Sequence, residues 1–126
     1  MQKLKVLGLL AAVLLPFHSF GAASPESFSL RSAQYLVDLC SVSPDDPMAE
    51  AALGFCYGFL SGAGGYHRAI TAGKNSRALF CLPAEQVSRV EAANQYVAWS
   101  RGSPQYLGEA PVDNVIRFAV ATWPCE

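Results

Sequence analysis

The stretch of chain that decides the fold spans residues 47–72 and reads PMAEAALGFCYGFLSGAGGYHRAITA. It opens on a proline directly after Asp46, which pairs a capping side chain with a residue that loses no amide partner at a helix start. Its apolar residues then recur at three- and four-residue steps, the spacing of one helical face, at Met48, Ala52, Phe55, Cys56, Phe59, Leu60 and Ala63. The pattern predicts a helix from Pro47 to about Ala72.

Three further helices are predicted on either side of this one. The first carries Leu30, Ala33, Leu36, Val37 and Cys40 on one face, with Ser27 or Ser29 as its cap. The third is expected from Ala84 to about Ser100, with its inward face at Val87, Val90, Ala93 or Asn94, and Val97. The fourth opens at Pro111 and directs Val112, Val115, Ile116, Ala119, Val120 and Trp123 toward the core. With no alternating run of strand type, the fold class is all-α, a small four-helix domain.

Three glycines, Gly54, Gly58 and Gly62, lie four residues apart on the long helix. Each glycine in a helix interior destabilises the helix by about 0.5–1 kcal/mol relative to alanine, so three glycines on one face indicate a role that offsets this cost. We favour close packing of another backbone inside the domain over contact with a ligand or a partner protein.

The first 23 residues are typical of a signal peptide that is removed on export. Lys3 and Lys5 precede an apolar run from Val6 to Leu15, and the segment Gly21-Ala22-Ala23 puts small residues at the two positions that a signal peptidase inspects, with cleavage expected after Ala23. The apolar run is shorter than the roughly 20 residues that span a bilayer, which argues against the alternative, an uncleaved anchor. We expect residues 24–126 to form one domain in the periplasm, with no membrane segment after cleavage.

The charge of the mature chain excludes one class of partner. Loss of the two leader lysines moves the formal charge from −1 to about −3, and no basic run remains. Nucleic acid is therefore not an expected partner.

All four cysteines, Cys40, Cys56, Cys81 and Cys125, lie in the mature domain. An even count in a small exported domain favours two disulfides over free thiols. The cysteines are widely spread and His67 is the sole mature histidine, so the spacing does not favour a metal site. Neither a metal nor another cofactor is predicted.

Four cysteines allow three pairings. Cys40 ends the first predicted helix and Cys56 lies in the second, so a bond between them ties that hairpin. Cys81 precedes the third helix and Cys125 follows the fourth. We therefore predict the pairs Cys40–Cys56 and Cys81–Cys125.

Catalysis is not expected from the side chains available. His67 near the end of the long helix has no visible partner constellation, so a structural role is favoured. Asp45 and Asp46 are most simply a turn and a cap, and Glu85 and Glu91 are expected at exposed positions. The sequence favours a binding protein over an enzyme.

Each of the four cysteines stands in a distinctive segment: LC at 39–40, FCYGFLSG at 55–62, FCLP at 80–83 and AVATWPC at 119–125. Together these segments span nearly the whole mature chain, and they resemble the Rap/Tai immunity proteins. Two segments depart from the family pattern: residues 84–86 read AEQ where a glycine and a threonine are usual, and residues 103–105 read SPQ where His-Pro-Glu is common.

The resemblance implies a function for the mature domain. Proteins of this kind are small periplasmic helical proteins that neutralise cell-wall-degrading effectors of type VI secretion, so a peptidoglycan amidase is the implied partner. The resemblance also implies a homodimer. The alternatives are a periplasmic acid-stress chaperone and a structural component of the envelope.

A loop between the third and fourth helices is the predicted partner-binding segment. Tyr106 offers an aromatic anchor of the kind that dominates interfaces, and Ser103, Gln105 and Glu109 flank it. The alternative is that Tyr106 only covers the end of the helix bundle.

Overall fold

The computed structural model describes residues 23–83 and 85–126. The predicted signal peptide thus lies outside the described residues, apart from Ala23. The elements in chain order are a 3-10 helix Pro25–Ser29, α1 Ala33–Cys40, α2 Ala49–Thr71, α3 Arg89–Arg101, a 3-10 helix Pro104–Tyr106 and α4 Pro111–Thr122. Four α-helices and no strand occur in the described part of the chain, which confirms the all-α prediction.

The start of α1 differs from the prediction. Neither Ser27 nor Ser29 caps this helix, because both belong to the preceding 3-10 helix, where the Ser24 amide donates to Ser27 Oγ at 3.1 Å. Leu30 then takes a left-handed conformation with φ 50°, which breaks the helical path. The α-helix proper therefore begins at Ala33, after Ser32.

The long helix α2 starts two residues later than Pro47 and ends at Thr71. Asp46 holds the turn before it, because Asp46 Oδ1 accepts from the Met48 amide at 2.7 Å and the Asp46 carbonyl accepts from the Ala49 amide at 2.9 Å. Phe55, predicted on the core side, is instead 36% exposed. It packs edge-on against Phe28 with ring centroids 5.5 Å apart.

The prediction that α3 begins at Ala84 is wrong. The helix begins at Arg89, because the Ser88 hydroxyl caps it by accepting from the Glu91 amide at 3.1 Å. Val90 then lies on the solvent side at 54% exposure. The described residues of the segment 80–87 form no helix or strand.

Helix α4 begins at Pro111 as predicted, but the face that it buries differs from the predicted one. Val112 and Val120 are 49% and 42% exposed, whereas Asn114 and Phe118 are buried. The Phe118 ring packs against the rings of Tyr96, Trp99 and Trp123, with centroids 5.1–6.1 Å apart. Because burial of a ring of this size is strongly favourable, it decides which face of the helix points inward.

The core joins all four helices. Its main cluster contains Leu36, Val37, Cys40, Cys56, Ala93, Tyr96, Val97, Val115 and Phe118. A second cluster, with Leu39, Val42, Ala49 and Ala52, lies between α1 and the start of α2.

Both predicted disulfides are confirmed. Cys40–Cys56 joins α1 to α2 inside the main cluster, and Cys81–Cys125 joins the segment before α3 to the end of the chain. The two disulfides close loops with sequence separations of 16 and 44 residues. In the chain-entropy model, loops of these lengths correspond to a stabilisation of about 3 and about 4 kcal/mol.

The prediction that the glycine stripe packs against another backbone of the domain is wrong. Gly54, Gly58 and Gly62 are all exposed, and a Cβ added at any of them meets nothing within 4 Å. The buried side of α2 is set by Ala49, Ala52, Cys56 and His67, which lie on the other side of the helix.

No helix among the described residues has the length and apolar character that crossing a membrane requires.

Candidate partner-binding site

The loop between α3 and α4, residues 102–110, carries all four residues predicted to bind a partner. A series of short-range turns folds it. The Tyr106 amide donates to the Ser103 carbonyl at 3.1 Å, and the Glu109 amide donates to the Tyr106 carbonyl at 3.2 Å. The central turn is the 3-10 helix that Pro104 begins, since proline has the backbone angle that such a turn needs.

Two backbone hydrogen bonds attach this loop to the start of α1. The Ala33 amide donates to the Glu109 carbonyl at 2.8 Å, and the Gln34 amide donates to the Leu107 carbonyl at 3.0 Å. The first amides of an α-helix have no partner within the helix. The loop therefore caps α1, and α1 in turn fixes the backbone of the loop.

A buried asparagine supports the loop from below. Asn114 is fully buried in α4, and its Nδ2 donates to the Tyr106 carbonyl and to Glu109 Oε1, both at 3.2 Å. Its Oδ1 accepts from the Ser100 hydroxyl at 3.2 Å. Buried polar side chains stabilise a unique structure when their hydrogen bonds are satisfied, as they are here.

Arg117 closes the outer side of the loop. Its Nε and Nη2 donate to the two carboxylate oxygens of Glu109, at 3.1 Å each. These bonds hold the pKa of the Glu109 carboxyl below its ordinary value and raise the pKa of Arg117. The Arg117 guanidinium also lies over the Tyr106 ring, 4.2 Å from its centroid.

Two side chains therefore pack against the Tyr106 ring. Trp99 stacks against it with ring centroids 6.0 Å apart and planes at 2°, and the Arg117 guanidinium lies over it. Tyr106 thus has a packing role, which was the alternative to partner binding. A role for Tyr106 in partner contact stays a prediction, and it is limited to the part of the ring that remains exposed.

The loop presents few free groups to a partner. Pro104, Gln105 and Gly108 are exposed, whereas Ser103 and Glu109 are partly buried. Gln105 is thus the predicted residue with the most accessible side chain. The structure brings the four predicted residues together on one rigid loop, and Gln105 lies at its surface.

The sequence alone did not identify the residues of α3 and α4 that support the loop. These residues are Trp99, Ser100, Asn114 and Arg117. Asn114 stands three residues after Pro111, four before Phe118 and next to Val115, within the apolar repeat of α4. A polar side chain at a position that helical spacing places inward is a signal for a buried hydrogen-bond network.

His67 has the structural role that its isolation predicted. Its Nε2 accepts from the Leu79 amide at 3.0 Å, and its ring stacks on Phe80 with centroids 3.9 Å apart. The imidazole thus holds the segment before α3 against the end of α2. Among residues 23–83 and 85–126, no group of three or more His, Cys, Asp or Glu side chains is placed to hold a metal ion.

In a comparison with protein families, the family model of the Rap1a immunity proteins matches residues 32–125. The match runs from the cap of α1 to the last cysteine, so it includes all four helices and the loop 102–110. Comparisons with the curated proteins and with the solved structures found no match.

Proposed function

Because the chain belongs to the Rap1a immunity protein family, we propose that it neutralises a peptidoglycan amidase effector of type VI secretion by binding it. The observation that carries this proposal is the family match over four helices and both disulfides, residues 32–125. The chain acts as an inhibitor, without chemistry of its own.

The loop 102–110 is the proposed contact surface. Its backbone is attached to α1, its underside to Asn114 and its outer side to Arg117. Binding therefore costs little additional ordering, and preorganisation of this kind raises affinity. The exposed residues Pro104, Gln105 and Gly108 would enter the cleft of the effector first.

The periplasm is the proposed location. The leader pattern of residues 1–23 supports export. Two disulfides that use every cysteine support an oxidising compartment. This is also the compartment in which an amidase meets the cell wall.

A homodimer through α2 is the proposed oligomeric state. Phe55, Tyr66 and Ile70 of α2 are 36%, 69% and 55% exposed, beside the uncovered glycines Gly58 and Gly62. Small residues let a second helix approach closely, while the larger side chains supply apolar area. Sedimentation velocity tests this: Tyr66→Glu should give a monomer, whereas Leu79→Glu, at an exposed position in a loop, should leave the dimer intact.

Protection of living cells tests the proposed function. Cells that make this chain with its leader, and cells that lack it, are challenged with amidase effectors directed to the periplasm. The first effector to test is the cell-wall hydrolase encoded nearest to this chain. Survival of the producing cells alone is the expected result. Lysis of both cultures by every amidase tested would rule out the proposed partner class.

A further inference from the structure

A cavity of about 380 Å³ lies between α2, α3, α4 and the segment before α3. Its size falls within the range of about 300–1,000 Å³ that is usual for small-molecule sites. The loop 102–110 contributes no lining residue. The cavity is therefore distinct from the proposed effector-binding loop.

Covalent and hydrogen-bonded links support the wall of this cavity. Phe80 and Trp123 line it, and the Cys81 amide donates to the Trp123 carbonyl at 2.8 Å. The disulfide to Cys125 ties the same two segments. His67, which is not a lining residue, stacks on Phe80. An apolar wall that is fixed in this way is largely preformed, as in most small-molecule sites.

The floor of the cavity is open because glycine lines part of it. Gly64 and Gly65 of α2 both line the cavity, and a Cβ at either position meets nothing within 4 Å. Leu60, one turn earlier, adds apolar surface. Space at this side of the cavity is therefore open to a ligand, and Gly64 is a position at which a side chain can be added toward it.

Two cations stand at this cavity, and no carboxylate opposes them. Arg68 and Arg89 are the charged residues among its lining, and both are exposed. Neither guanidinium has an ion pair or hydrogen bond to another residue in the described part of the chain. Arg89 is also the first residue of α3, where the helix dipole favours an anion.

We propose that this cavity binds a small amphipathic carboxylate. The apolar tail lies against Phe80, Trp123 and Leu60, and the carboxylate pairs with Arg68 and Arg89 at the mouth. An arginine fork matches the geometry of a carboxylate, and an apolar wall with a few polar groups is typical of small-ligand sites. The site does not depend on the proposed effector.

Calorimetric titration of the mature protein with octanoate tests this site, with 1-octanol as the uncharged control. We expect saturable one-to-one binding of octanoate and at least about fivefold weaker binding of octanol. Arg68→Gln and Arg89→Gln should each weaken octanoate binding about three- to tenfold. Arg77→Gln, an exposed arginine outside the lining, should bind like the unmodified protein.

Gly64→Val supplies a steric test, since its side chain occupies the cavity and should abolish octanoate binding. Chemical-shift mapping on the unmodified protein covers the case in which this variant does not fold. The Trp123 indole signal should move on titration while that of Trp99, outside the lining, stays in place. No saturable binding at millimolar octanoate, equal binding of octanol, or unchanged affinity in both arginine variants would overturn the proposal.

Discussion

Arg117 donates two hydrogen bonds to the carboxylate of Glu109, each 3.1 Å long. The two residues lie on either side of the junction between the loop 102–110 and α4, so the pair ties the loop to the helix that follows it. Because the Glu109 carboxylate also accepts from buried Asn114, the pair connects the surface of the loop to the core.

Arg117→Gln should lower the midpoint of thermal unfolding and weaken neutralisation of the effector. The substitution removes a bidentate bond and the cation over Tyr106, so the loop loses its outer support. Differential scanning calorimetry measures the first effect. Arg31→Gln is the matched control, because Arg31 and Glu26 form a single, more exposed ion pair at 3.1 Å. Equal shifts in the two variants would show that the Arg117 pair has no special role.

Acidification should destabilise the protein through Glu109. The pKa of this carboxyl in the folded protein lies below its ordinary value of 4.5, chiefly because Arg117 donates to it. A lowered folded pKa gives a stabilising contribution that is complete above the unfolded pKa and is lost as the pH falls through the folded pKa. Stability should therefore decline below about pH 4.5, and less steeply in Glu109→Gln. Denaturation curves across this pH range check both slopes; identical slopes would refute the assignment.

Asn114→Ala should cost about 2–3 kcal/mol of unfolding free energy. It removes the acceptor of the buried Ser100 hydroxyl and one of the two donors to the Tyr106 carbonyl and to Glu109 Oε1, and lost hydrogen bonds in a buried site are costly. Urea denaturation provides the value. Asn94→Ala, at an exposed position on α3, is the control and should change stability by less than about 0.5 kcal/mol. A cost for Asn114→Ala no larger than that of the control would contradict the network.

Gly58→Ala and Gly62→Ala should each stabilise the isolated protomer by about 0.5–1 kcal/mol. Their added methyl groups meet nothing within 4 Å, so helix propensity alone decides the sign. Ala51→Gly, on the same exposed side of α2, should lose a similar amount. Denaturation at low protein concentration separates this effect from any dimer. Destabilisation by both alanine variants would mean that another part of the protein covers the glycine face.

Local spacing predicted the features of the fold that depend on neighbouring residues. The three- and four-residue apolar repeat around Cys56 and the proline at 111 defined two helices, and the cysteine positions predicted both disulfides. The start of α3 was missed because Val87 and Val90 continue the apolar repeat. The competing signal was present, since Ser88 and Glu91 have the spacing of a helix N-terminus.

The candidate site was predicted less completely, for a physical reason. The loop residues are contiguous, so proline and tyrosine near position 105 identified the segment. Its supports, Trp99, Asn114 and Arg117, come from two different helices and meet only in the folded chain. Hydrophobic periodicity describes which face of a helix is apolar, but it does not describe a buried polar network. The same limit explains the glycine stripe, because spacing alone does not show whether a second backbone is nearby.

Inhibition of the effector by variants of the loop 102–110 is the decisive test of whether this loop binds the effector. Gln105→Arg and Gly108→Arg add bulk and charge at exposed positions, so both should fold normally. Asn75→Arg, in the exposed loop after α2, is the control. We expect stoichiometric inhibition of peptidoglycan cleavage by the unmodified protein and by Asn75→Arg, and loss of inhibition in both loop variants. Full inhibition by Gln105→Arg and Gly108→Arg, at unchanged thermal stability, would contradict the proposed role of the loop.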